Sequence, residues 1–205
     1  GYAYRTANEL DAEYRVLSQS GWGVCNTWDN NPNGALPKYY RQICGLMQSD
    51  MNADLGGNEN FDFSSWQPDA IVVNLGTNDA SAFDQPEWVD DETGKRHKMH
   101  KNPDGSYKEE DIDYFKKAVK DFLHTLRECN PGAQIIWCYG MLGIPFQKPI
   151  CQAVYEYVDE TQDRKVSYLQ LPDTDTDSTG SRQHPGYLSH QRAAKVLSEF
   201  IRTLV

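Results

Sequence analysis

No stretch of the 205-residue sequence approaches the roughly 20 consecutive apolar residues that a membrane-spanning helix needs, so no membrane partner is expected. Positive charge is scarce. Twenty Lys and Arg stand against 30 Asp and Glu, a net charge of −10, which repels nucleic-acid backbones and anionic membranes at long range and favours a neutral partner. Cysteine is present but unpaired in pattern: Cys25, Cys44, Cys129, Cys138 and Cys151 are odd in number and lack metal-ligand spacing. Most read as core residues, Cys138 being a small hydrophobe within an apolar run, so neither a disulfide frame nor a zinc site is implied. Internal repeats and domain linkers are missing too, which predicts one domain over 1–205. The sequence opens on Gly1-Tyr-Ala-Tyr4, without methionine or signal-peptide pattern, as though its beginning had been processed or trimmed. Oligomeric state is not set by any of these features.

What is there begins with Asp69-Ala-Ile-Val-Val-Asn-Leu-Gly-Thr-Asn-Asp79. Ala70 to Leu75 is a short apolar, β-branched run of the kind buried on both faces of a parallel sheet. Gly76-Thr-Asn-Asp79 then places small, hydrogen-bonding residues at its carboxyl end, the edge where open α/β sheets bind ligands. Upstream, Tyr4 to Tyr14 reads as an amphipathic helix, Arg15 to Ser20 as a short strand closed by Gly21-Trp-Gly23, and Leu36 to Met47 as a helix with Pro37 in its first turn. Downstream, a polar insertion over about 84–108 carries the turn signal Asn102-Pro-Asp-Gly105. Its flanks, Arg96 to His100 and Ser106 to Lys108, pair as a hairpin that forms a wall or lid above the sheet edge. Glu109 to Cys129 is a helix with the stripe Ile112, Phe115, Val119, Phe122, Leu123 and Leu126, ended by Asn130-Pro-Gly132. Strand Gln134 to Tyr139, helix Pro149 to Asp163, strand Lys165 to Leu171 and helix Tyr187 to Leu204 complete the chain. The alternation predicts an α/β fold with a mostly parallel sheet, one strand short at its start because a helix comes first.

Two residues stand out chemically. His184 precedes Pro185, which suits a first helical turn and would place the imidazole at a helix entrance, where the dipole disfavours imidazolium. Asn78 offers an amide at the strand end, able to donate to a developing oxyanion. Each also has an ordinary reading: a loop histidine that starts a helix, and a turn in which Asp79 caps the next segment. Asp173-Thr-Asp-Thr-Asp177 imitates a calcium loop, but Ser178 and His184 stand where that loop needs glycine and glutamate.

Taken together, Ser20-Gly-Trp-Gly23, Gly76-Thr-Asn-Asp79 and His184-Pro-Gly-Tyr-Leu-Ser-His190 resemble the SGNH (GDSL-like) hydrolase superfamily, and within it the carbohydrate esterases of family 2. The resemblance implies a flavodoxin-like three-layer α/β/α sandwich and an acetyl esterase acting on poly- or oligosaccharides. It implies the Gly21 amide and Asn78 in an oxyanion hole, His184 as general base, no metal or organic cofactor, and an extracellular or periplasmic setting. Trp28 and Trp88, which follow the two oxyanion blocks, are the candidates for substrate contact. The sequence departs from the pattern twice. The nucleophilic serine belongs to a Gly-Asp-Ser block on the first strand, and no Gly-Asp-Ser occurs here. Ser181 stands where many relatives have the aspartate that orients the histidine, leaving a backbone carbonyl, Asp175 or Asp177 for that role. The alternative is a non-catalytic carbohydrate-binding or scaffold domain that keeps the esterase fold.

Overall fold

A computed structural model describes residues 1–47 and 49–205. The chain divides into two interleaved compact units: Gly1–Val16, Pro68–Asn74 and Gly132–Val205 form one, and Leu17–Gln67 and Leu75–Pro131 form the other.

The first unit holds a parallel sheet of β1 (Ala70–Val73), β4 (Gln134–Tyr139) and β5 (Val166–Gln170), in the order β1-β4-β5, with Ile71 opposite Ile135 and Trp137 opposite Tyr168. Side chains alternate faces along β4. Ile136 and Cys138 join a core with Leu171, Ala193, Leu197 and Ile201, against which Tyr2, Leu10 and Val72 also pack. That core is the apolar stripe of helix α6 (Tyr187–Ile201), flanked by helix α1 (Tyr2–Leu10), meeting one face of the sheet. Ile135, Trp137 and Tyr139, of opposite parity, are fully buried as well, which is why β4 reads as an unbroken apolar run. Helix α5 (Gln147–Thr161) buries Ile150, Ala153, Val154 and Tyr157 and leads into β5.

In the second unit, helix α4 (Glu109–Cys129) buries Phe115, Val119, Phe122, Leu123 and Leu126 along one stripe. Tyr40 lies edge-on to Phe122 and stacks on Phe63, while its hydroxyl accepts the Asn130 amide at 2.8 Å. The short helices α2 (Asp50–Asp54) and α3 (Thr77–Ala82) and a two-stranded ribbon of β2 (Trp88–Val89) and β3 (Arg96–His97) complete this unit.

Several sequence expectations need correction. Arg15 to Ser20 is not a strand: residues 11–20 are exposed, and the sheet contains no ladder partner for them among the described residues. Leu36 to Met47 is not an α-helix. Leu36–Tyr39 forms a 3-10 segment and separate turns follow it, because the Ile43 and Cys44 amides donate to the carbonyls of Glu59 and Gly57 rather than back along a helix. Helix α1 stops at Leu10, where Asp11 adopts a left-handed conformation (φ 51°). The expected hairpin survives in part. Asn102-Pro-Asp-Gly105 turns the chain, Lys101 bridges Tyr107, and the Lys108 amide reaches the His100 carbonyl at 3.0 Å, whereas Arg96–His97 pairs backwards with Trp88–Val89. All five cysteines are free. No helix among the described residues is long and apolar enough to cross a membrane.

Candidate active site

The turn after β1 forms because Gly76, at φ 122°, occupies backbone space that side chains rarely reach, and it stands as N-cap of α3. The next residues face the loop that begins at Gly21. The Asn78 amide donates to the Trp22 carbonyl at 2.8 Å. Asp79 is fully buried and does not cap a helix, contrary to its ordinary reading. Its carboxylate accepts the Val24 amide at 3.0 and 2.9 Å, the Cys25 amide at 2.9 Å and the Cys25 thiol at 3.2 Å. Burial pushes the Asp79 pKa up, and the backbone donors of Cys25 and Val24 pull it back only in part. The same burial, with the neighbouring carboxylate, pushes the Cys25 thiol well up, which disfavours the thiolate that a nucleophile needs.

Glycines make the grip possible. A β-carbon on Gly23 would lie 2.3 Å from Asp79 Oδ2 and 2.5 Å from the Asn26 carbonyl. Gly21, at φ 80°, lies against the Trp28 ring, with 2.9 Å between its hypothetical β-carbon and Cδ1, and its carbonyl accepts the Trp28 amide at 2.8 Å. Trp22 bridges Thr27 across the loop. Buried Asn30 ties the far end down: its amide donates to the carbonyls of Ala82 (2.8 Å) and Pro86 (2.9 Å), and its carbonyl accepts the Met99 amide at 2.9 Å. Sequence reasoning passed over both Asp79 and Asn30 as anchors. Their partners lie 52 to 69 positions away, beyond the reach of local pattern.

His184 belongs to the other unit. Helix α6 begins at Tyr187 with Gly186 as N-cap, so Pro185 precedes the helix and His184 stands outside its first turn, a correction to the expected helix entrance. The histidine is exposed and follows two residues in left-handed conformation, Arg182 (φ 52°) and Gln183 (φ 64°). Its Nδ1 lies 2.9 Å from the Arg182 carbonyl. A carbonyl only accepts, so Nδ1 carries the hydrogen and Nε2 is left to accept a proton. Of the orienting groups left open by the sequence, it is therefore a backbone carbonyl that meets the ring. Asp175 is engaged elsewhere, by the Ser178 hydroxyl at 2.6 Å and by Arg192 at 2.6 Å, which hold its pKa down at about 2. Asp173 accepts the amides of Gly143 (2.8 Å) and Thr174 (2.9 Å), and no metal-holding cluster occurs among the described residues.

The structure thus brings Gly21, Asn78 and Trp28 together within one unit. Trp28 is 47% exposed and lies beside Gly21. Trp88, half-buried, sits on β2 opposite His97 in the same unit.

No protein-family model matches the chain. Among solved structures it is similar to an acetyl xylan esterase from the rumen bacterium Butyrivibrio proteoclasticus, with 48% identity and a TM-score of 0.96 over 98% of this chain and 54% of that one. A family two carbohydrate esterase from Clostridium thermocellum, solved with cellohexaose, has a TM-score of 0.74 at 22% identity over 98% of this chain and 53% of that one, a likeness of fold. Among curated proteins, an acetylxylan esterase / glucomannan deacetylase of Cellvibrio japonicus is 32% identical over 100% of this chain and 48% of its own length. The chain spans about half the length of these relatives. These relatives are acetylxylan esterases and family two carbohydrate esterases, and the chain shares their α/β fold with a mostly parallel sheet, the fold found also in a putative GDSL-like lipase from Bacteroides ovatus at a TM-score of 0.55 and 15% identity.

Proposed function

We propose that the protein is a serine-type carboxylic ester hydrolase that removes acetyl groups from polysaccharides or oligosaccharides, its nucleophilic serine lying on a segment outside the present sequence and 1–205 forming a single hydrolase domain. In this reading His184 Nε2 takes the serine proton as the hydroxyl attacks the acetyl carbonyl. The Gly21 amide and Asn78 meet the tetrahedral oxyanion. The C–O bond to the sugar then breaks, His184 returns the proton to the departing sugar hydroxyl, and water repeats the sequence on the acetyl-enzyme to release acetate. Trp28 and Trp88 contact the sugar. What supports the reading most directly is the grip of Asn78 and Asp79 on the Gly21–Cys25 loop, which fixes a backbone amide and a side-chain amide on one small frame. Asn78 spends one amide hydrogen on the Trp22 carbonyl and has a second to offer.

The test is turnover of p-nitrophenyl acetate and acetylated xylan by the intact protein. Asn78→Ala is expected to lower kcat by about 100- to 1,000-fold, the usual cost of one oxyanion donor. His184→Ala should lower it at least as far. The 205-residue chain alone should not exceed the buffer rate, and saturable, His184-dependent turnover by it would refute the missing-serine argument. An intact protein that binds acetylated xylan without hydrolysing it would instead identify a non-catalytic carbohydrate-binding domain.

A further inference from the structure

The proposed chemistry uses His184 and leaves His190, in the same stretch of chain, unassigned. Helix α1 starts on Gly1 with no side-chain cap of its own and no acid in its first turn. A side chain from α6 takes that place. The Tyr2 amide, one of the first-turn donors that a helix cannot satisfy internally, donates to Nδ1 of half-buried His190 at 3.2 Å, across 188 positions of sequence. An amide only donates, so Nδ1 is the bare nitrogen and Nε2 carries the hydrogen. This is the opposite tautomer from His184, whose Nδ1 meets a carbonyl. The Tyr2 ring is stacked 6.1 Å from the His190 ring at an angle of 18°, and its hydroxyl accepts the amide of Asn74, just past the end of β1, at 3.2 Å. One chain of contacts therefore runs from the sheet through α1 to the first turn of α6.

The same turn of α6 moors the loop that carries His184. Gly186, the N-cap of α6, donates to the Ser178 carbonyl at 2.8 Å, the His190 amide closes onto the Gly186 carbonyl at 3.1 Å, and the Ser189 and Thr174 hydroxyls meet at 2.7 Å. A displaced helix start is thus passed on to the His184 ring. The contact with Tyr2 holds only while His190 is neutral, because a proton on Nδ1 would set N–H against N–H and add a cation at the positive end of the α1 dipole. The surroundings favour the neutral ring. Burial lowers the His190 pKa, and the cationic Gly1 amino group and Arg5 lower it further. Arg5 lies over the Tyr187 ring, 4.3 Å from its centroid, and burial raises the Tyr2 pKa, so that its hydroxyl stays uncharged. Of the acids on or against α1 and α6, Glu9 accepts the Ser198 hydroxyl and Asp175 pairs with Arg192. We propose that His190 is a positioning residue: its neutral ring locks the start of α6, and with it the His184 loop, onto the N-terminal turn of α1, and protonation opens the lock. With the folded pKa lowered, the lock contributes fully above the ordinary histidine value of about 6.5 and is lost as pH falls through the lowered one. The part it plays in catalysis rests on the esterase reading above; the lock itself does not.

Two measurements on the intact protein test this. Long-range proton–nitrogen-15 NMR should show His190 as the Nε2–H tautomer at about pH 8, and the Tyr2 amide signal should move with the titration of the His190 ring. In His190→Asn the side-chain oxygen stands where Nδ1 stood and does not titrate, so the Tyr2 signal should keep its place and lose that step. In His190→Ala it should be displaced at every pH. In p-nitrophenyl acetate turnover at about pH 8, His190→Ala should lower kcat by about three- to tenfold and leave KM nearly unchanged, a smaller effect than the roughly 100-fold that a 1 Å misplacement costs. His190→Asn should restore most of that loss. Below about pH 6 the activity of His190→Asn relative to the unaltered protein should rise, since only the histidine lock opens there. An Nδ1–H tautomer at His190, a Tyr2 amide indifferent to both substitutions, or parallel pH profiles for His190→Asn and the unaltered protein would overturn the inference, and the asparagine comparison decides even where the alanine variant does not fold. Hydrolysis with unchanged kcat in His190→Ala would refute the positioning role and leave the esterase reading standing. Absence of ester hydrolysis in every form, the unaltered protein included, would remove the esterase reading and the positioning role with it, while the NMR titration still decides the lock.

Discussion

Removing the Asp79 carboxylate should release the Gly21–Cys25 loop, and the cost can be worked from the hydrogen bonds it leaves behind. Asp79→Ala orphans the amides of Val24 and Cys25, which are 2% and 4% exposed at the residue level. A buried donor left without a partner costs about 1–3 kcal/mol, so two cost about 2–6 kcal/mol. Two effects offset part of this: a carboxylate whose ionised form is disfavoured by burial is gone, and water can enter the vacated space. The expected loss is about 2–4 kcal/mol, a fall in Tm of roughly 4–16 °C for a chain of this size. Asp79→Asn keeps the shape and one acceptor, but its NH₂ replaces an oxygen that faced an N–H, so it should lie between, at about 1–2 kcal/mol. Thermal unfolding gives the totals, and hydrogen exchange at the Val24 and Cys25 amides shows where they arise. In the intact protein the same variants should lower kcat more than they raise KM, since the loop carries a proposed oxyanion donor and not the bulk of the sugar contacts. Alanine and asparagine variants that melt together with the unaltered protein, or unchanged exchange at Val24 and Cys25, would refute the reasoning.

Gly140→Ala should destabilise the first unit by about 1–3 kcal/mol, the usual range for forcing atoms into packed space. At φ 143° a β-carbon there would meet the Leu171 carbonyl at 2.4 Å, and chemical denaturation measures the cost. The Asp175 turn should be pH-sensitive in one direction. Its carboxyl is held down at about 2 by the Ser178 hydroxyl and then Arg192, so its contribution is present above the ordinary carboxylate range and is lost as pH falls through about 2. An NMR titration of the Ser178 amide should show this step, and Asp175→Asn should abolish it. Arg182→Gly should be neutral or stabilising by up to about 1 kcal/mol, because glycine relieves a left-handed residue while the carbonyl that meets His184 Nδ1 belongs to the backbone and stays. Thermal melting checks the sign, and an unchanged His184 ring signal checks the contact.

How much of this was legible depends on whether the deciding partner was near in sequence. Helix α4 and strand β4 matched their expected limits to the residue, since an apolar stripe with Asn130-Pro-Gly132 at its end and an unbroken apolar run are local facts. Arg15–Ser20 has strand composition, but a strand also needs a neighbour to complete its hydrogen bonds, and composition cannot supply one. Leu36–Met47 failed for the complementary reason: its amides were claimed by carbonyls of Gly57 and Glu59 that no helical period reveals. The candidate site divides the same way. The residue types at Gly21, Asn78 and His184 were readable as motifs, but what holds them was not. Asp79 follows Asn78 directly, yet it acts on a loop 54 to 55 positions earlier. His184 was expected to be shaped by a helix entrance and is instead met by a carbonyl two residues back, presented by two left-handed residues that carry no glycine signal. Strained backbone without glycine is unfavourable locally and persists only where surrounding contacts impose it. Here those contacts are the Gly180 amide to the His184 carbonyl at 2.7 Å and the Gly186 amide to the Ser178 carbonyl at 2.8 Å, which pin both ends of the turn that holds the two left-handed residues. The geometry of the proposed base is therefore a property of the loop's two anchor points, and replacing Arg182 tests the strain without touching either.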